Sequence, residues 1–280
     1  MLSYRHLYHA GNYADVFKHS LLAGLLLSLQ LKEKPYCYID THAGIARYDL
    51  THDWAQKARE YETGIGRLWR RDDIPNLLSR YLEIVKGENA GVALRYYPGS
   101  PLVARRLARP GDRMVLSELN KTDHAALKAM FAGDAQVAVH LKDAYESLKA
   151  FTPPKEKRGL VLIDSGFDVA DEFSRVVRAL VDAHRHWSSG IFAVWYPLMQ
   201  TGPMRDFYRD VAKSGIRKVL RLELSIRQRD ESGIVPGCGM LVVNPPWHFD
   251  DEARRLLDYL WRVLSIDRAG EPLVEWLVPE

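Results

Sequence analysis

Short apolar runs bounded by polar residues recur along the chain, and they predict the strands of one sheet. Seven runs of this kind occur, at 36–40, 113–118, 136–140, 159–164, 191–196, 217–224 and 240–244. The strongest are apolar throughout, which is typical of strands buried on both faces. Helical patterns lie between most of them, at 14–30, 121–131, 170–186 and 204–213. This alternation predicts an α/β fold with a doubly wound, seven-stranded mixed sheet.

The first two predicted strands are unusually far apart. A strand–helix–strand crossover needs only about 30 residues, whereas residues 41–112 separate these two strands. The excess lies at 48–97 and shows helical patterns at 54–69 and 74–86. We therefore predict a single domain over residues 1–280, with a small helical subdomain inserted at 48–97.

Composition limits the class of protein. The 280 residues are 47% hydrophobic and 27% charged, an ordinary globular balance. The longest apolar stretch, 21–29, is shorter than the roughly 18–20 residues of a membrane span. The His-rich, polar N-terminus is unlike a signal peptide, so a cytoplasmic location is expected. The two cysteines, Cys37 and Cys238, occur in strand-like runs and are expected to be buried, reduced thiols.

Charge gives only a weak indication of the partner. The formal net charge is +3, a value that many enzymes share. Local clusters of arginine and lysine, as at 67–71, 105–109 and 217–229, are compatible with phosphate contacts. They are equally compatible with solvated helix faces whose charges are paired.

Polar residues follow several predicted strands, at the edge where open α/β sheets bind ligands. Residues 40–44 (Asp-Thr-His-Ala-Gly) follow the first strand, and glycine there lets the backbone approach a cofactor closely. Glu118 ends the second strand, where a carboxylate can accept both ribose hydroxyls of a nucleoside. Asp143 follows the third and could accept a hydrogen bond from an adenine amino group. Each feature alone fits an ordinary turn or a surface acid, but their order resembles the layout of class I methyltransferases.

The fourth strand ends in Asp164-Ser165-Gly166-Phe167. A carboxylate and the next backbone carbonyl can accept both hydrogens of an exocyclic amine and so direct its lone pair at a methyl donor. An aromatic residue three positions later can stack on a flipped or unpaired base. The same tetrapeptide is also compatible with a simple turn that contains an incidental aspartate.

Two other groups of residues compete for a functional role. The segment 244–247 (Asn-Pro-Pro-Trp) resembles the catalytic signature of amino-methyltransferases more closely than 164–167 does. It follows the last predicted strand, however, so we expect it to lie away from the cleft. His6, His9 and His19 lack cysteine or carboxylate partners at metal-site spacing, and we predict no metal there. That segment is instead expected to touch RNA or cover the cofactor.

The N-terminal block Met1-Leu2-Ser3-Tyr4-Arg5-His6 is highly specific, and further distinctive segments lie at 9–12, 14–16, 18–19, 40–44, 95–101, 195–197, 215–218, 244–247 and 278–280. Together these segments extend over the whole chain and resemble the bacterial 23S ribosomal RNA adenine-N6 methyltransferase family. The resemblance implies a Rossmann-like, S-adenosylmethionine-dependent methyltransferase. Its partner is expected to be naked or early-assembly 23S rRNA, without membrane association, and the protein is expected to be a monomer.

The resemblance also implies residue roles. Asp164 would be catalytic, and Tyr4 and Phe167 would contact the RNA. The residues that would contact S-adenosylmethionine are Lys18, His19, His42, Ser100, Glu118, Asp143, Ala144 and Asp164.

This chain departs from the family pattern at three places. Asp164-Ser165-Gly166-Phe167 stands where the family has Asp-Pro-Pro-Tyr, Ala46 stands where a second glycine is usual, and Ala144 replaces a glycine. Losing two prolines loosens a turn that must present a carbonyl. An alternative is therefore a weakened or inactive nucleic-acid-binding relative, linked to the use of external DNA. A DNA adenine methyltransferase is disfavoured because the insertion is small and mixed in charge.

Overall fold

The computed structural model describes residues 5–167, 169, 171–199, 202–228, 237–266 and 268–280. Tyr4 lies outside the described residues. The strands are β1 (Cys37–Asp40), β2 (Arg47–Asp49), β3 (Tyr96–Pro98), β4 (Arg113–Glu118), β5 (Val137–Leu141), β6 (Gly159–Ile163), β7 (Ile191–Pro197), β8 (Val219–Ser225), β9 (Gly237–Val243) and β10 (Pro272–Val278). The helices are α1 (Tyr13–Gln30), α2 (Asp53–Ala58), α3 (Glu60–Thr63), α4 (Ile65–Leu68), α5 (Asn76–Gly87), α6 (Ser100–Leu107), α7 (Lys121–Met130), α8 (Ala144–Phe151), α9 (Glu172–His186), α10 (Gly202–Lys213) and α11 (Phe249–Leu264). A short 3₁₀ turn, His6–Tyr8, precedes α1.

The main sheet has the strand order β10-β8-β9-β7-β6-β1-β4-β5. The pairs from β5 to β7 are parallel, and those among β7, β9, β8 and β10 are antiparallel. All seven predicted strands are present and the mixed α/β class is confirmed, but the predicted number of strands is wrong because β10 adds an eighth. This edge strand is half-exposed, with Trp276 41% exposed. It therefore lacks the continuous apolar run that marks the buried strands.

Helices cover both faces of the sheet, and the strands supply side chains to each face in turn. In β6, Leu160 and Leu162 belong to the core beneath α1, α5, α6 and α11. Val161 and Ile163 belong to the opposite core, with α8, α9 and α10. Successive side chains of a strand point to opposite faces, so burial on both faces requires the continuous apolar run seen in the sequence.

Residues 48–97, the predicted insertion, contain α2, α3, α4 and α5 and are bounded by a two-stranded ribbon. β2 pairs with β3 so that Tyr48 lies opposite Tyr97, the two positions that bound the predicted insertion. The helical pattern at 54–69 is divided into α2, α3 and α4, because Arg59 has a φ of +52° and the backbone turns again at Gly64. A Cβ at Gly64 would overlap the carbonyl oxygen of Gly11. Glycine there allows the insertion to approach the segment before α1.

None of the described helices has the length and apolar character needed to cross a bilayer. Cys37 and Cys238 are both buried and unpaired.

Candidate active site

The carboxyl ends of four adjacent parallel strands, β5, β4, β1 and β6, bring the predicted residues to one edge of the sheet. The loop after β1 is attached to both neighbouring strands. The Thr41 amide donates to the Leu162 carbonyl at 3.1 Å, and the Ala43 amide donates to the Ser117 carbonyl at 3.0 Å. This is the edge at which open α/β sheets bind their ligands.

The loop after β1 turns tightly at Gly44 and Ala46, with φ values of +61° and +67°. A Cβ at Gly44 would lie 2.5 Å from the Tyr48 hydroxyl, so only glycine fits there. Ala46 adopts a left-handed conformation that costs an alanine about 1 kcal/mol. A glycine would adopt this conformation without that cost, and this chain accommodates an alanine in it.

Lys18 of α1 connects the helix to Asp164. Its Nζ lies 2.6 Å from Asp164 Oδ2 and 3.0 Å from Asp15 Oδ1. The Lys18 side chain is 6% exposed, whereas that of Asp164 is 17% exposed. The ammonium group therefore fixes the Asp164 carboxylate from the protein side, and the carboxylate remains accessible from outside.

Asp15 supports this pair, and the sequence reasoning assigned it no role. Its Oδ2 accepts the Gly11 amide at 2.9 Å and faces His6 Nε2 at 3.0 Å. Burial alone would raise the pKa of Asp15, but the charges of His6 and Lys18 hold that pKa well below its ordinary value. The only signal in the sequence was the i, i+3 spacing of Asp15 and Lys18 on a helix.

Ser100 is bonded to a buried acid. Its Oγ donates to Asp40 Oδ2 at 2.8 Å, and the Tyr38 hydroxyl donates to the same oxygen at 2.6 Å. Gly99 occupies the N-cap of α6 and Ser100 is the first helical residue, so the Ser100 side chain does not cap this helix. Burial raises the pKa of Asp40 to about 6 despite these hydrogen bonds.

Replacing Asp40 with asparagine is expected to remove a pH dependence of stability between about pH 4 and about pH 6. The carboxyl has a pKa of about 6 in the fold against an ordinary 3.8, so the folded protein holds this proton more tightly than the unfolded chain. Its contribution to the free energy of unfolding therefore falls by about 3 kcal/mol as pH rises through this window, at about 1.4 kcal/mol per pKa unit. Urea unfolding of wild type and variant across the window measures the difference. If the free energy of unfolding depends on pH in the same way in both proteins, Asp40 does not cause this pH dependence.

Glu118, Asp143 and Ala144 lie where the sequence predicted them. Glu118 accepts the Asn120 amide at 2.7 Å on one oxygen and the Gly44 amide at 2.9 Å on the other, and burial raises its pKa. A carboxylate has about four lone-pair sites, so acceptor capacity remains for ribose hydroxyls. Asp143 caps α8 by accepting the Tyr145 amide at 2.9 Å, and Ala144 is the buried first residue of that helix.

The two histidines differ in what they contact. His19 Nδ1 lies 2.8 Å from the Tyr97 hydroxyl, and burial lowers the pKa of His19 to about 3. This neutral ring therefore ties α1 to the β2–β3 ribbon. Burial also lowers the pKa of His42, opposed by the charges of three nearby acids, Asp164, Glu172 and Asp143. His42 is thus at the shared edge, and the cofactor-binding role of either histidine stays a prediction.

The segment after Asp164 contains a second feature that the sequence reasoning missed. The Ser165 hydroxyl donates to Glu172 Oε1, and the Tyr145 hydroxyl donates to the same oxygen. Phe167 has a φ of +52°. Its ring centroid lies 4.6 Å from that of Phe173 and 6.2 Å from that of Trp195. Phe167, three residues after Asp164, therefore belongs to a cluster of aromatic rings that also includes Phe173 and Trp195.

The competing segment 244–247 lies at the other edge of the sheet. β9 runs antiparallel to β7 and places Val243 beside Phe192, near the amino end of β7. Asn244 donates to the carbonyls of Ser188 and Gly190, both at 2.8 Å, and Trp247 is 87% exposed. The prediction that this segment lies away from the cleft is confirmed.

The N-terminal histidines have protein partners. His6 faces Asp15, His9 contacts Glu60 at 3.0 Å, and His19 contacts Tyr97. In the ranges that the structure describes, no group of three or more His, Cys, Asp or Glu side chains is arranged to hold a metal ion.

Comparisons with known proteins identify the family to which the chain belongs. Two curated relatives are each named ribosomal RNA large subunit methyltransferase J. The one from Haemophilus influenzae is 41% identical and the one from Escherichia coli is 39% identical, over 100% of both chains in each case. A solved structure of a Legionella pneumophila protein has a TM-score of 0.89 at 34% identity, covering 96% of this chain and 98% of that one.

The family model described as "Ribosomal RNA large subunit methyltransferase D, RlmJ" matches residues 33–278. That range includes the four parallel strands at the site and Asp164. The chain therefore belongs to the RlmJ family of ribosomal RNA large subunit methyltransferases.

Proposed function

We propose that the chain transfers a methyl group from S-adenosylmethionine to N6 of an adenine in 23S rRNA. One observation carries the proposal: Asp164 directly follows a central strand, is fixed by Lys18 at 2.6 Å, and keeps a side chain that is 17% exposed. The relatives named above are large-subunit rRNA methyltransferases, which supports the same substrate class.

The residues at this edge fit a nucleoside cofactor. Glu118 keeps acceptor capacity for the ribose hydroxyls, and Asp143 offers a carboxylate oxygen to the adenine amino group. The backbone of the tight turn at Gly44 carries no side chain at this residue, so a cofactor can approach it closely. When bound, S-adenosylmethionine supplies an electrophilic sulfonium methyl group. His42, Ser100, Ala144 and the Lys18–His19 pair complete the proposed cofactor set.

The chain's contribution to the chemistry is mainly orientation. Asp164 accepts one hydrogen of the N6 amine, and the Ser165 carbonyl accepts the other. The nitrogen lone pair is then directed at the methyl carbon. The cofactor would supply the methyl group and keep the electron pair of its C–S bond, and one N6 proton would pass from its hydrogen bond with Asp164 to solvent. Phe167 stacks on the unpaired base, and Tyr4 is proposed to contact the RNA.

The test mixes purified protein with 23S rRNA that lacks the modification and with methyl-labelled S-adenosylmethionine. We expect label to appear as N6-methyladenine, and to appear faster on naked RNA than on assembled large subunits. The proposal would be contradicted if the protein transfers no label to an RNA that another member of the family methylates. Calorimetry with S-adenosylmethionine separates the alternative, because a nucleic-acid-binding relative without catalysis has no need to bind that cofactor.

A further inference from the structure

The turn after Asp164 has little backbone restraint of its own. Ser165 and Gly166 stand where a pair of prolines would fix φ by their rings, and glycine is the least restrained residue. If the proposed function holds, the Ser165 carbonyl must still be presented in one position. A misplacement of about 1 Å can cost about 100-fold in rate, so another part of the chain has to supply the restraint.

A buried side-chain cluster contacts this turn directly. Glu172, the first residue of α9, is 5% exposed and Ser165 is 6% exposed. Glu172 Oε1 accepts hydrogen bonds from both the Ser165 and Tyr145 hydroxyls. Its Oε2 lies 3.2 Å from Arg175 Nη1, and the Arg175 guanidinium lies 4.7 Å from the centroid of the Tyr145 ring. The turn is thereby joined to α8 and to the start of α9.

The electrostatics favour this arrangement. A carboxylate in the first turn of a helix is stabilised by the unpaired amides at the helix N-terminus. Hydrogen bonds to a charged acceptor are about twice as strong as neutral ones. Arg175 pairs with the second oxygen, so the buried charge of Glu172 is compensated. The cluster is therefore a fixed support to which the Ser165 hydroxyl is attached.

We propose that Glu172 is a positioning residue for methyl transfer. It acts through the Ser165 hydroxyl and restrains by a hydrogen bond the backbone that proline would restrain covalently. Glu172 touches neither the base nor the cofactor in this scheme. The proposal rests on the proposed function for its catalytic consequence, but the restraint itself is a property of the protein alone.

A double-mutant design tests the catalytic consequence. In the natural sequence, Glu172→Ala is expected to lower kcat by about 10-fold or more, with cofactor affinity changed by less than about twofold. In a Ser165→Pro, Gly166→Pro background the same change is expected to cost less than about threefold, because the rings now supply the restraint. Equal losses in both backgrounds would show that Glu172 only stabilises the fold, and would overturn the proposal.

Three further variants keep the test valid if the proline background does not fold. Ser165→Ala should reproduce the loss seen with Glu172→Ala, and the double variant Ser165→Ala, Glu172→Ala should lose nothing more. Glu172→Gln should recover most of kcat, because its amide oxygen still accepts the Ser165 hydroxyl. Tyr145→Phe keeps the Ser165–Glu172 bond and serves as the control. Additive losses for Ser165 and Glu172 would overturn the proposal.

Amide hydrogen exchange separates this proposal from the proposed function. Peptides that span 164–167 should exchange faster in Glu172→Ala and Ser165→Ala, and at the wild-type rate in Glu172→Gln. This result is expected whether or not the wild type transfers methyl groups. Unchanged exchange overturns the restraint, whereas an inactive wild type with the expected exchange pattern overturns only the proposed function.

Discussion

Replacing Asp164 with asparagine is expected to lower kcat for methyl transfer by about 100-fold or more, the usual cost of losing one preorganised hydrogen-bonding group. The physical reason lies in Lys18, whose Nζ is 2.6 Å from Asp164 Oδ2. An ammonium group has only donors, so it would hold the amide oxygen of the asparagine. The amide NH₂ would then face the substrate amine, donor against donor. Label transfer at saturating RNA and cofactor measures the loss.

The matched controls use Phe167 and Trp247, the aromatic residues that end the two competing segments. Phe167→Ala should also lower turnover, because its ring is proposed to stack on the unpaired base. Trp247→Ala should leave turnover and stability unchanged, since Trp247 is 87% exposed at the opposite edge of the sheet. Activity that survives in Asp164→Asn but disappears in Trp247→Ala would assign catalysis to 244–247 instead.

The positions of the strands along the chain are what the sequence predicted best. The strands buried on both faces appear as unbroken apolar runs, so their positions and the acids that follow them could be found from the sequence. Parallel pairing then brings Glu118, Asp143 and Asp164 to one edge. The edge strand β10 was missed because it is half-exposed, and its Glu275 and Trp276 are both exposed. Burial, not β propensity, made the other strands recognisable.

The supporting contacts of the site could not be predicted in the same way. Lys18 and Asp164 are 146 positions apart, and no local pattern specifies that a helix presents its lysine to that strand end. Ser165 and Glu172 are 7 positions apart, but the pairing depends on how the turn enters α9. The sequence showed serine and glycine at positions 165 and 166, where the resemblance implies two prolines. Only the structure showed which side chains contact the turn at that point.

Replacing Asp15 with asparagine is expected to lower the free energy of unfolding by about 3 kcal/mol, the usual cost of breaking a buried ion pair. Asp15 is 2% exposed and accepts from the Gly11 amide, His6 and Lys18. An amide NH₂ in its place would meet donors, and the buried Lys18 would lose one of its two carboxylates. Because the pKa of Asp15 is held well below its ordinary value, the stability it contributes is present at neutral pH and is lost as pH falls through that lowered pKa. The difference between wild type and variant should therefore shrink in acid.

Denaturant unfolding at neutral pH measures this effect, and Glu60→Gln is the matched control. Glu60 accepts from His9 and Asn12 in the same N-terminal region, but the His9 and Glu60 side chains are 40% and 38% exposed. Exposed ion pairs contribute only about 0–1 kcal/mol, so Glu60→Gln should cost far less than Asp15→Asn. Turnover should fall with Asp15→Asn as well. Without the Asp15 carboxylate, Lys18 is no longer held in the position from which it fixes Asp164. Equal stability of the two variants would show that burial of the Asp15–Lys18 pair does not stabilise the N-terminal helix, and the support we assign to Asp164 would fail with it.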